Sequence, residues 1–158
     1  MIEQIRTKKR VKDLGEVFTA QREVNAMLDL IPAEQFTDPL STWLEPSCGN
    51  GNFLIAIVAR KFVHCPQDEA QDIYALKIIS ALYGVDINQL NVDEAIQRLH
   101  TWLGENVQSN NKETFLKLAN KILHSNIQLG NFLNKEPMSF TQYTWHEDNT
   151  YTTTRETL

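Results

Sequence analysis

Ten residues, Glu45-Pro46-Ser47-Cys48-Gly49-Asn50-Gly51-Asn52-Phe53-Leu54, have the types and spacing of a ligand-binding turn. Two glycines one residue apart let the backbone turn sharply and approach a bound group with no Cβ between them. A helical pattern opens directly after Gly51, so its first N–H groups are free to meet negative charge. A dinucleotide fingerprint needs a third glycine three positions beyond Gly51, where this chain has Leu54. A phosphate-cradling loop needs Gly-Lys-Ser/Thr, which is absent. The ligand that remains has no pyrophosphate and carries an amino-acid end, whose ammonium Glu45 can meet directly or through water.

Two more polar positions fall in comparable places. Asp86 closes the apolar run Tyr83-Gly84-Val85-Asp86-Ile87. A carboxylate at the end of a buried strand can accept both hydroxyls of a ribose, or it can cap the helix that follows. Its distance from Gly51, 35 residues, exceeds the usual spacing of about 20. An inserted helix over 66–80 accounts for the excess. Asn131-Phe132, in Gly130-Asn131-Phe132-Leu133, pairs a side-chain carbonyl with an aromatic face. One can take the exocyclic amine of adenine while the other stacks on the ring. Taken singly, Asn131 reads as a turn residue and Phe132 as core.

The elements that must hold these residues follow from periodicity. Val24, Met27, Leu28 and Ile31 make a helical stripe, with Thr19 placed to cap it and Pro32 to end it. Thr42 to Leu44 reads as a strand, and Leu54, Ile57, Val58 and Phe62 as the face of the next helix. Residues 66–80 predict a helix opening with Pro66 and acidic residues, and Leu82 to Ile87 a buried strand. Val92, Ala95, Ile96, Leu99 and Leu103 line a long helix ending near Gly104. Phe115, Leu118, Ala119 and Ile122 line another, and 126–133 is a third strand. Alternating strands and helices predict an α/β fold with a parallel sheet, ligands sitting at the strands' carboxyl ends. The unusual polar residues all fall there. Residues 139–158, rich in threonine, read either as a hairpin turning at Glu147-Asp148-Asn149 or as a strand leading into a helix.

A chain of 158 residues with 42% apolar and 22% charged residues suits one globular domain. No apolar run reaches membrane-spanning length, and the N-terminus lacks the apolar core of a signal peptide, so a cytoplasmic location is expected. Cys48 and Cys65 form no C-x-x-C pair, and the adjacent His64 and Cys65 point to different helix faces, so no metal is expected. The net charge of −5 is uneven: residues 1–12 carry Arg6, Lys8, Lys9, Arg10 and Lys12 against Glu3, leaving −9 on the other 146 residues. A basic arm on an acidic body can touch phosphates, or simply be solvated.

The ordered blocks resemble the class I S-adenosylmethionine-dependent methyltransferases, in particular the DNA adenine-N6 methyltransferases of restriction–modification systems. Gly15-Glu16-Val17-Phe18-Thr19-Ala20 resembles that family's N-terminal motif, with Ala20 where the family has proline. Glu45 to Leu54 resembles its glycine-rich loop. The resemblance covers about residues 8 to 134 and implies a Rossmann-like domain over 15–134, between a basic arm at 1–14 and a polar tail at 135–158. It implies S-adenosylmethionine as cofactor. Thr19, Glu45, Cys48, Gly49 and Gly51 would line its methionine end, and Phe18, Pro46 and Phe53 would also bind the cofactor. Asp86 would hold the ribose, Ile87 would pack on adenine, Asn131 would take the adenine amine and Phe132 would stack.

One departure bears on activity. The family's catalytic block is Asp/Asn-Pro-Pro-aromatic after a fourth strand, where it grips the amino group of a flipped-out base. This sequence contains no Pro-Pro pair, so no catalytic residue is assigned. The expectation is a sheet cut short after about three strands, inactive alone, and touching DNA only when completed by a catalytic and target-recognition half. A partner subunit of a split enzyme and a non-enzymatic cofactor-binding or sensing module are the alternatives. In the family, strand one pairs with strand four. The residues 139–154, a second copy or a partner chain is therefore expected to cover its open edge.

Overall fold

The computed structural model describes residues 19–158. In chain order they form α1 (Gln21–Leu28), α2 (Glu34–Thr37), β1 (Trp43–Glu45), α3 (Asn52–Phe62), α4 (Gln71–Ser80) and β2 (Leu82–Asp86). There follow α5 (Gln89–Asn106), α6 (Lys112–Asn126), β3 (Ile127–Leu129), β4 (Ser139–Trp145) and β5 (Tyr151–Thr157). The three short strands make a parallel sheet in the order β1-β2-β3, with β2 central and every residue of it buried. This is an α/β fold compatible with Rossmann-like architecture. Helical crossovers join the strands, because parallel neighbours cannot be joined by a tight turn.

The apolar stripes position these elements. Val92, Ala95, Ile96, Leu99 and Leu103 of α5 are all buried, as are Leu54, Ile57 and Val58 of α3 and Phe115, Ala119 and Ile122 of α6. Each fully buried Leu, Ile or Val contributes about 1.5–3 kcal/mol over its exposed state. Gly84 lies where β2 passes closest to the β1–α3 connection. A Cβ there would stand 3.0 Å from Leu54 Cδ1 and 3.2 Å from Cys48 Sγ. Among the described residues no helix is long and apolar enough to cross a membrane.

Several boundaries differ from the sequence reading. Ala20, not Thr19, is the N-cap of α1, and no side chain caps that helix. The helix ends at Leu28, ahead of Pro32, and Met27 faces solvent. Proline disfavours helical geometry in the residue before it, and here the last turn tightens through Leu30 N–H to Met27 O and Ile31 N–H to Leu28 O. The short helix α2 was not anticipated; its buried Phe36 stacks on Trp43 at 5.1 Å between centroids. The inserted helix starts at Gln71 rather than 66, since Glu69 N–H closes a turn onto Pro66 O and Ala70 is extended. The long helix passes Gly104 and runs on to Asn106. The third strand keeps only Ile127–Leu129, because Asn126 ends α6 and donates its amide to Ile79 O and Ser80 O.

The tail is a hairpin. β4 and β5 pair antiparallel across a turn in which Asn149 takes φ 62° and Asp148 Oδ1 accepts from Thr150 N–H and Oγ1–H. It forms its own two-stranded sheet and does not pair with β1. Side-chain chemistry places it on the sheet's face instead. Tyr83 Oη donates to Thr141 O at 2.7 Å, Tyr83 and Phe140 meet edge to face, and Trp145 Nε1 donates to Ser80 Oγ at 2.9 Å. Among the described residues β1 pairs only with β2.

Lys61 in the last turn of α3 is 1% exposed. Its Nζ donates to Ser41 O at 2.6 Å and Pro39 O at 3.3 Å, tying α3 to the loop before β1. Burial pulls the ammonium down from 10.5 to about 8, against the upward pull of Asp38. The unfolded chain therefore binds the proton more tightly, and this group's contribution to stability rises between pH 8 and 10.5. Urea unfolding of wild type and Lys61→Met at pH 7.5 and 9.5 should show the difference, wild type minus variant, growing with pH. A constant difference would count against a strained ammonium here.

Candidate functional site at the carboxyl ends of the strands

The turn between β1 and α3 is pinned to the end of β2. Cys48 N–H donates to Val85 O at 2.8 Å, and Gly49 N–H donates to Asp86 Oδ2 at 2.9 Å. Both glycines adopt left-handed backbone, Gly49 at φ 53° and Gly51 at φ 94°, a region costly for residues with a Cβ. A Cβ on Gly51 would also meet Ala95 Cβ at 3.1 Å. The second glycine thus serves the seating of α3 on α5 as well as the turn.

Asp86 is 6% exposed. Besides Gly49 N–H on Oδ2, its Oδ1 accepts Asn88 N–H at 2.9 Å and Asn91 Nδ2–H at 3.1 Å. The N-cap of α5 is Asn88, whose side chain accepts from Leu90 N–H, so Asp86 is not that cap. A carboxylate oxygen has about two acceptor sites. Oδ1 is filled and Oδ2 keeps one. The side chain, arranged this way, offers a ribose one acceptor rather than the two expected from sequence.

The other anticipated residues divide. Thr19 lies beside the turn, its carbonyl accepting from Asn52 Nδ2–H at 2.8 Å. Glu45 ends β1 beside Gly84, and burial raises its carboxyl while the Ser47 N–H draws it down. Pro46 is exposed, and Phe53 packs against the main core. Ile87 and Phe132 follow the ends of β2 and β3 with 58% and 41% exposure. Leu129, paired with Asp86 in register, is also exposed. Gly130 N–H donates to Asp86 O at 2.9 Å, linking the two strand ends. Asn131 Oδ1 accepts Leu133 N–H at 3.0 Å, as a turn asparagine does, and keeps one acceptor site. Phe18 and the basic residues Arg6, Lys8, Lys9, Arg10 and Lys12 lie outside the described residues.

Cys48 is a core residue here, 6% exposed against Gly84. Burial first, then the charges of Asp86 and Glu45, push its thiol up to about 12. Thiolate is the reactive form. Iodoacetamide at pH 8 should therefore label Cys65 and leave Cys48 untouched until the chain is denatured, as read by peptide mass mapping. Equal rates at both would show that the turn opens.

Asn91 and Arg98 carried no signal in the sequence, and Asn52 stood in the turn's motif without a role. Asn91 adds to the acceptor network of Asp86, although its spacing from Asn88 is that of a helix face. Asn52 and Arg98 brace the turn: Arg98 Nη1–H donates to Asn50 O at 2.9 Å and Asn52 Oδ1 at 2.8 Å. Asn50 Oδ1 is buried with no hydrogen-bond partner among the described residues. At the strand ends Asp86 Oδ2 and Asn131 Oδ1 each keep an acceptor site among the described residues, and Ile87, Leu129 and Phe132 are exposed. Comparison with protein-family models, curated proteins and solved structures gives no match to this chain.

Proposed function

We propose that this chain is the S-adenosylmethionine-binding portion of a site-specific DNA adenine-N6 methyltransferase. The observation that carries the reading is the glycine turn clasped by Asp86 at the carboxyl ends of β1 and β2, with the next residue, Ile87, exposed. Asn50 Oδ1, buried and without a donor among the described residues, fits a ligand N–H as its missing partner. Glu45 and the turn would hold the amino-acid end, Asp86 Oδ2 one ribose hydroxyl, and Ile87, Phe132 and Asn131 the base. Bound there, the cofactor supplies an electrophilic methyl group. With no Pro-Pro pair in these residues, the proposal places base-gripping and target recognition on polypeptide supplied from elsewhere. The open edge of β1 is where that polypeptide, or a second copy, would pair.

The hairpin's cover of Tyr83 and Val85 favours one further reading, a binding or sensing module that works without a catalytic half. Calorimetry with S-adenosylmethionine, on wild type and Ile87→Asp, tests the shared part. Ile87 is exposed, so the substitution should leave the fold intact while weakening binding about tenfold or more. Equal binding by the two proteins would remove the base from this position.

A further inference from the structure

The cofactor reading leaves unused a polar relay that crosses three segments. Arg98 on α5 holds Asn52 Oδ1 at 2.8 Å, and Asn52, the first residue of α3, gives its Nδ2–H to Thr19 O at 2.8 Å. Asn52 is 8% exposed. The guanidinium has only donors, so it fixes the amide with oxygen toward Arg98 and nitrogen toward Thr19. The same guanidinium nitrogen donates to Asn50 O at 2.9 Å, inside the glycine turn.

From this geometry we infer that Asn52 is a positioning residue for the ligand. It holds the backbone at Thr19 in register with the glycine turn, so that the two form opposite sides of one pocket for the amino-acid end of the cofactor. The seat of α1 does not depend on the relay, because Val24 and Leu28 already bury it against the main core. What Asn52 adds is the tie of Thr19 O to the residue that follows the turn. The inference rests on the cofactor reading and assigns the turn's asparagine a duty beyond it.

Asn52→Asp separates the two links. Aspartate keeps an acceptor for Arg98, now as an ion pair, and suits the first turn of a helix. It has no donor for Thr19 O and sets an oxygen against it. Calorimetric titration with S-adenosylmethionine, paired with thermal melting, is the test. Binding about tenfold weaker, still one site per chain, with a melting temperature only a few degrees below wild type, is expected. Unchanged affinity would overturn the inference while leaving the cofactor reading intact. So would a fall in the number of sites together with a melting temperature lowered well beyond that, the mark of a merely structural residue. No binding by wild type would overturn the cofactor reading, and the positioning role with it.

Discussion

Asp86→Ala should cost about 2–4 kcal/mol of unfolding free energy, because it leaves buried donors with no acceptor. Gly49 N–H, Asn88 N–H and the Asn91 amide all end on this one carboxylate. For a chain of this length that corresponds to roughly 5–15 °C in melting temperature. The loss should be local in origin: the turn and the start of α5 should exchange amide hydrogens faster, while α6 keeps its protection. A melting temperature within a degree of wild type would mean that water replaces the carboxylate freely, and that the clasp is weaker than its distances indicate. The same substitution would weaken any ligand by loosening the turn. Loss of binding in Asp86→Ala therefore does not by itself assign Asp86 to a ribose; the exposed Ile87 is the cleaner probe.

Gly51→Ala should cost about 1–3 kcal/mol through two separate causes. One is the backbone at φ 94°, which an alanine adopts only under strain. The other is contact: the new methyl would lie 3.1 Å from Ala95 Cβ and 3.2 Å from Ala95 Cα. Ala95→Gly in the same chain removes the first of these contacts, but not the second and not the strain. The double variant should recover only part of the loss, as measured by denaturant unfolding. Full recovery would show that the left-handed backbone costs little, and that contact with α5 alone requires the glycine.

How much of this was legible beforehand depended on the range of the cause. The stripe of α5, with Val92, Ala95, Ile96, Leu99 and Leu103 all buried, is a local period and reads directly. The turn at Gly49 and Gly51 and the acid ending β2 were visible because glycine and a carboxylate are rare at such places. The ends of α1, α4 and β3 were misplaced, since a proline about one turn away or a buried asparagine decides them. Thr19, read as a cap, instead offers its carbonyl to Asn52. Lys61 reads as an exposed charge on an amphipathic helix, yet it is buried by carbonyls from residues 39 and 41 that no local pattern announces. The tail was one of the covers expected for the edge of β1, beside a second copy or a partner chain. It lies on the face, because the Tyr83 hydroxyl and the Ser80 hydroxyl give it specific partners there.

The most direct test of a nucleoside site at the strand ends is an amide chemical-shift titration of the chain with S-adenosylmethionine. The account predicts saturable shifts at Gly49, Asn50, Gly51, Ile87, Asn88, Asn131 and Phe132, with the groove between α5 and α6, lined by His100, Lys117 and His124, unmoved. Saturable shifts confined to that groove, or none at all in a folded chain, would contradict it.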